Sequence, residues 1–299
     1  MTDRPFESAE ESGPTARRRQ LGIRLLALRE AAGLTAEAAG EQAGVSKATV
    51  SRYERAKGNV RWNQVDQLCR VYGVSDTERA ELVELAKNSR VTEGWWVPYA
   101  SRLPSPMRLL LAMENEATRI SQYTTGVVPG LLQTVEYARA IKETPGSAVP
   151  PDDVPEYLSL RMQRQRVLDG PAAPTFHVVL DEAVLRRSVG GAEVMAAQLE
   201  HLLKRAEERH ISIQVLPFSA GAHSAALSSF IVYGGADPTL DIIFIETAVG
   251  SLFLEEPGAR EHYGSAIDFL RREALDSVSS AELIAEVRNT HLSEKQRGK

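Results

Sequence analysis

The sequence is almost without cysteine: Cys69 is the single one in 299 residues. One thiol cannot close an internal disulfide and lacks the partners of a cysteine-rich metal site, so its helical spacing with Val65, Leu68 and Tyr72 predicts a core thiol. Long apolar runs are missing too. A membrane helix needs roughly 18 to 20 such residues, and the longest candidates, Phe176 to Leu180 and Asp241 to Ile245, read as strands. The opening MTDRPFESAEESGPTARRR is polar and acidic with no hydrophobic centre for secretion, so a cytoplasmic protein without membrane contact is expected. Equally missing are a phosphate-binding glycine loop, a nucleophile elbow and a zinc motif. His177, His201, His210, His223, His262 and His291 form no metal-ligand spacing in a fitting context. The acid pairs Asp181-Glu182 and Glu255-Glu256 fall at strand ends, where carboxylates often cap a following helix. A non-enzyme is therefore expected, with no catalytic residues, no metal and no cofactor.

What is present suits a folded, divided chain. Hydrophobic residues make up 43% and charged residues 25%, values ordinary for a protein with a buried core. The length suits a small module followed by a larger one. The formal net charge is -5, yet Thr15 to Arg70 holds eleven basic residues against five acids. A basic segment inside an acidic chain is the pattern of one module facing phosphates while the remainder does not.

Periodicity places the modules. Residues 1–16 read as a disordered tail and 17–90 as an all-α domain of five helices. Leu21, Leu25 and Leu28 mark the first helix, which should stop at Gly33. A short second helix should begin after Thr35, a third after Ser46 and end before Gly58, a fourth near Trp62 to Tyr72, and a fifth near Asp76 to Lys87. Residues 91–106, with Gly94, Trp95, Trp96 and three prolines, read as a linker. Residues 107–290 are expected to form an α+β regulatory, partner-binding or dimerisation domain, and 291–299 a flexible tail. Helices are placed near Met107 to Tyr123, Gln133 to Lys142, Val154 to Leu168, Ala192 to Arg209, Ala259 to Leu275 and Ala281 to Asn289. Strands are placed at Thr175 to Leu180, Ile211 to Leu216, Ser229 to Tyr233, Asp241 to Glu246 and Ser251 to Leu254, which predicts a largely antiparallel sheet of about five strands.

The stretch from Ala36 to Glu54 carries the functional signal. Two helices crossing steeply need a tiny residue at their closest approach, a turn residue that tolerates positive φ, and apolar inward positions. Gly40 fits the first, Gly44 the second, and Ala39, Ala43, Val45, Val50 and Tyr53 the third. Lys47, Ala48, Thr49, Ser51 and Arg52 are left facing outward.

These residues, with LRE-AAGLT, AGVS and Ser51-x-x-Glu54, resemble the XRE (phage repressor and Cro-like) family over roughly residues 17 to 88. The resemblance implies a third helix seated in the major groove of double-stranded DNA. It implies base-edge roles for Lys47, Ala48, Thr49 and Arg52, phosphate contacts for Thr35, Ser46, Ser51 and Arg55, and a structural ion pair between Arg29 and Glu54. Many relatives carry Gln where this chain has Ala36, and Leu-Ala where it has Ala39-Gly40. Glycine inside a helix costs about 0.5 to 1 kcal/mol relative to alanine, so the second helix is expected to be loose until packed or bound.

The remainder is similar to actinobacterial regulators that place a C-terminal domain of unknown function after an XRE-type domain. The similarity rests on Glu114-x-x-Ala117, Gln122-Tyr123, Val128 to Thr134 (VPGLLQT), Tyr137-Ala138, Arg161 to Arg166 and the β-rich stretch from Ile211 to Glu256. It implies a small partner protein encoded beside the regulator, in the manner of toxin and antitoxin pairs. A dimeric transcription regulator reading a palindromic operator through Ser46 to Glu54, controlled through its C-terminal domain by that partner or a ligand, is the function expected. An antitoxin-like module whose main role is holding a small protein is the alternative.

Overall fold

The computed structural model describes residues 16–57, 60–87, 103, 105–145, 150–223, 225, 228–235, 238–247 and 250–297. The expected tail before Ala16, the expected helix stop at Gly58, and all of the linker but residues 103, 105 and 106 lie outside them. The chain divides into two compact units, residues 1–116 and 117–299.

The first unit is helical: α1 (Ala16–Ala31), α2 (Ala36–Gln42), α3 (Lys47–Glu54), α4 (Trp62–Val71), α5 (Asp76–Lys87) and α6 (Ser105–Glu116). Leu21, Leu25, Ala39, Val50, Tyr53, Val65, Leu68, Cys69 and Leu82 form one buried cluster, with Leu28 and Val45 packed against it. Burial pushes the Cys69 thiol up to about 11, with nearby Asp66 adding to the shift, so the cysteine stays a protonated core residue. Arg24 holds Glu78 at 3.1 Å and Glu81 at 3.2 Å, joining α1 to α5.

The second unit is α+β. Its elements are β1 (Arg119–Thr124), α7 (Val135–Lys142), α8 (Val154–Gln165), β2 (Thr175–Asp181), α9 (Glu182–Arg186), α10 (Gly191–Arg205), β3 (Ile211–Leu216), β4 (Phe230–Gly234), β5 (Ile242–Thr247), β6 (Gly250–Leu254), α11 (Pro257–Glu273) and α12 (Ser277–Arg297). One six-stranded sheet runs in the order β3-β2-β1-β4-β5-β6. The pairs β1–β4, β4–β5 and β5–β6 are antiparallel, and β1–β2 and β2–β3 are parallel. The parallel pairs follow from connectivity: α7 and α8 lie between β1 and β2, and α9 and α10 between β2 and β3.

Two expectations are corrected. The helix placed at Met107 to Tyr123 stops at Glu116, and its end is the sixth strand, β1. Ile120, Ser121, Tyr123 and Thr124 are all buried, because this central strand is covered on both faces and so lacks the simple alternation of a half-exposed strand. The tail expected from 291 is helical through Arg297, with His291 buried and its Nε2 3.1 Å from Leu185 O.

Alternation along the strands defines two faces. Gln122, Ile231, Phe244 and Phe253 form one cross-strand row, and Ser121, Val232, Ile243 and Leu254 the next, on the opposite face. Helix α11 buries Ala266, Ile267 and Leu270 with Val232 and Ile243. At the outer edge of β3, Leu275 N donates to Val215 O and Val215 N to Ser280 Oγ, both at 2.9 Å, so the segment leading into α12 satisfies backbone groups of that edge.

Candidate nucleic-acid interface

The interface candidate is the α2–turn–α3 segment, and its shape follows from two glycines. Gly44 has φ +67 and lets the chain leave α2, with Val45 N reaching back to Gly40 O at 2.8 Å. At Gly40, a Cβ would stand 2.7 Å from Val45 O, so only glycine allows the turn to fold against α2. The helix-interior glycine expected to loosen α2 is thus the residue that lets its turn close.

A third glycine, Gly22 within α1, has a packing role that the helix-turn-helix pattern does not mark. A Cβ on Gly22 would lie 2.7 Å from the carbonyl oxygens of both Tyr53 and Glu54, so α1 and the end of α3 touch backbone to backbone. A glycine within an amphipathic helix carries that signal, since its cost requires a packing reason.

Helix α3 is held firmly from its inner side. Arg29 Nε donates to Glu54 Oε1 at 2.6 Å and Nη2 to Oε2 at 3.2 Å, while Nη1 donates to Leu34 O at 2.7 Å. One guanidinium therefore ties α1, the loop before α2 and the end of α3, and its bond to Glu54 raises its pKa further. Buried Tyr53 accepts from Arg61 N at 3.1 Å and donates to Gln64 Oε1, linking α3 to α4.

The outward residues fall into distinct sets. Thr35 and Ser46 cap α2 and α3, accepting from Ala38 N and Thr49 N, each at 3.1 Å. Ser46 Oγ, Thr49 Oγ1 and Arg52 Nη2 form a row along α3, with spacings of 2.9 and 3.2 Å. That row lays Arg52 along the helix and leaves Nε and Nη1 for another acceptor. Lys47 and Ala48 are exposed on the first turn, Lys47 with only a 3.5 Å contact to exposed Glu37. Ser51 is half-buried, whereas Arg52 and Arg55 are exposed. Lys57 and Arg61 are exposed just beyond α3, outside the residues to which the resemblance assigns DNA contacts. Arg24, Arg29 and Arg70 are paired with acids, whereas Lys47, Arg52, Arg55, Lys57 and Arg61 are exposed cations among the described residues.

In the second unit the histidines serve other roles. Arg271 Nε donates to His177 Nδ1 at 3.0 Å, so the ring's proton sits on Nε2 and points to Gln214 Oε1 at 2.6 Å. Burial lowers the His177 pKa to about 4. His223 Nε2 lies 3.2 Å from Tyr123 OH, which also reaches Asp181 Oδ2 at 3.4 Å. Among the described residues, no group of three or more His, Cys, Asp or Glu could hold a metal ion, and no helix is long and apolar enough to cross a membrane.

Two family matches cover the two parts of the chain, the second beginning within α6 of the first unit. Residues 20–82 match the family described as Helix-turn-helix domain, which supports a DNA-binding regulator in general terms. Residues 107–286, more than half of the chain, match the family described as Domain of unknown function (DUF5753). No curated protein and no solved structure matches the chain.

Proposed function

From a chain that belongs to the DUF5753 family and carries a helix-turn-helix domain ahead of that region, we propose a sequence-specific transcription regulator that inserts α3 into the major groove of double-stranded DNA. The observation that carries this reading is the outward face of α3. It is exposed, cationic, and mounted on a helix whose inner side is fixed by the Arg29–Glu54 pair and by the backbone contact at Gly22. A major groove accepts one α-helix and presents a distinct donor and acceptor pattern for each base pair.

Residue roles follow from position. Lys47, Ala48, Thr49 and Arg52 present base-edge contacts, with Arg52 released from or sharing its bond to Thr49. Thr35, Ser46, Ser51 and Arg55, joined by Lys57 and Arg61, hold phosphates. The Thr35 and Ser46 oxygens accept the capping bonds, and each hydroxyl proton can turn to a phosphate, that of Ser46 when Thr49 donates in their mutual bond. Regulators of this kind gain reach by pairing two modules about 34 to 36 Å apart, so the protein acts as a two-fold dimer on a palindromic site. The C-terminal domain supplies control, through a small protein partner or a ligand.

The test is selection of bound duplexes by the full chain, followed by anisotropy on the selected operator and on random DNA. Arg52→Ala is expected to cost about 1 to 3 kcal/mol on the operator and little on random DNA, while Arg55→Ala weakens both alike and lowers the salt slope by about one. Equal losses for Arg52→Ala on both duplexes demote it to a phosphate contact. No salt-sensitive binding by the unaltered chain ends the proposal.

A further inference from the structure

The VPGLLQT segment of the second unit plays no part in reading DNA, yet its polar groups hold it in one shape. Val128 N donates to Tyr137 OH at 3.2 Å, and Gln133 Nε2 donates to Val128 O at 2.7 Å. Gln165 Nε2 donates to Gly130 O at 2.9 Å and to Gln133 O at 2.8 Å. Buried Gln198 donates to Leu132 O and accepts from Thr134 N, both at 2.7 Å. With its amide nitrogen fixed on Val128, Gln133 turns its oxygen to Arg161, whose Nη1 donates at 3.1 Å. A Cβ on residue 130 would stand 2.1 Å from that same nitrogen, so glycine leaves the space the guanidinium occupies. The motif is a mount for Arg161.

Arg161 is held without being neutralised. Its other bond is from Nη2 to Tyr157 OH, and its guanidinium carbon lies 4.9 Å from the Tyr157 ring centroid. Lys142 Nζ lies 4.7 Å from the same centroid. Among the described residues no ion pair joins a carboxylate to either cation; exposed Glu246, which also lines the cavity, acts on Arg161 only through its charge. Burial lowers the Arg161 pKa, and the like charge of neighbouring Arg164 lowers it further, against the opposing pull of Tyr157 and Glu246.

Both cations face a cavity of about 320 Å³. Its floor is the cross-strand row Gln122, Ile231 and Phe244, and Ile141 and Val127 close its sides. Its lining is mixed, with Thr124, Thr125, Gln133 and Ser229 beside the apolar residues, and a concave site with convergent polar groups is a usual form of a small-molecule site. At roughly 30 Å³ for each small group, the share of one water in the liquid, this volume takes about ten non-hydrogen atoms.

We propose that this cavity binds a small organic acid, its carboxylate on Arg161 and Lys142 and its apolar body on Ile141, Ile231 and Phe244. Its service as an effector site rests on the regulator reading above; its occupancy does not.

The test is calorimetric titration of the full chain, without DNA, using phenylacetate and hexanoate against the uncharged phenylacetamide and hexanamide. At least one acid is expected to bind saturably and about tenfold or more tighter than its amide. Arg161→Met and the cavity-filling Ile231→Trp are each expected to weaken that acid about tenfold or more, and Lys142→Gln to weaken it by a smaller factor. Should Arg161→Met fail to fold, Ile231→Trp and Lys142→Gln at unchanged melting temperature decide. No saturable binding of either acid up to about 10 mM, equal binding of acid and amide, or indifference to Ile231→Trp overturns the proposal. DNA anisotropy on the same samples reports separately on α3, so failure of one reading is seen apart from failure of the other.

Discussion

The Arg29–Glu54 pair predicts a strong energetic coupling that surface ion pairs do not show. The side chains are 13% and 8% exposed, and the two groups share two hydrogen bonds in parallel. Removing one partner of a buried pair leaves an uncompensated charge and costs about 3 to 5 kcal/mol. The geometry here lies at the edge of the core, so Arg29→Met and Glu54→Leu should each cost about 3 kcal/mol. The double variant orphans neither charge and loses chiefly the bond to Leu34 O and part of the packing, so it should cost about 3 to 4 kcal/mol rather than 6. The coupling is then about 2 to 3 kcal/mol. Because the two units need not unfold together, the assay is urea dependence of amide exchange in peptides covering residues 45–57, read by mass spectrometry. Salt should change the coupling little, since a buried pair is weakly screened. Costs that add within about 0.5 kcal/mol, or a coupling abolished by moderate salt, would refute the claim that this pair fixes α3.

Three shorter predictions follow the same logic. Gly22→Ala gains about 0.8 to 1 kcal/mol of helix propensity but drives a Cβ against two backbone carbonyls, so a net loss of about 1 to 2 kcal/mol is expected; a raised melting temperature of the first unit would contradict the close approach. Gly44→Ala forces a side chain into φ +67 and should cost about 1 kcal/mol or more while weakening operator and random DNA alike. His177 has a folded pKa of about 4, below its unfolded value, so its contribution is present above about pH 6.5 and lost as pH falls toward 4. Comparing the unaltered chain with His177→Gln, the excess loss between pH 7.5 and 4.5 should be roughly 2 to 3 kcal/mol, and parallel stability profiles would show that His177 is not held neutral.

The helix-turn-helix was legible because its determinants are local. Caps at Thr35 and Ser46, the turn at Gly44 and the inward set Ala39, Ala43, Val50 and Tyr53 all sit within twenty residues, and each names its own backbone state or face. Gly22 was not, since its reason is the far end of another helix, and a single sequence marks such a residue only as an unexplained cost. Charge was legible in total but not in use: the eleven basic residues between Thr15 and Arg70 include Arg24, Arg29 and Arg70, which pair inward or along their own helices. Only a fold separates those from Lys57 and Arg61.

The second unit shows the opposite balance. Five of its strands were readable from β-branched runs, but β1 was absorbed into the preceding helix, because a strand buried on both faces next to a helix end offers no alternation to separate period two from period 3.6. The error had a topological consequence. Without β1 the sheet lacks the strand that joins its parallel half, β3-β2-β1, to its antiparallel half, β4-β5-β6. The same strand carries Gln122 into the cavity floor beside Ile231 and Phe244, so the cavity cannot be assembled from sequence even though VPGLLQT and Arg161 both belong to recognisable motifs. Their relation, a glycine that admits a guanidinium 31 residues away, is fixed by the packing of α8 on the turn and not by spacing. The motif is, in its backbone, a short 3-10 turn, Gly130–Leu132, feeding α7. Its chemical purpose lies in a side chain that only the tertiary structure delivers.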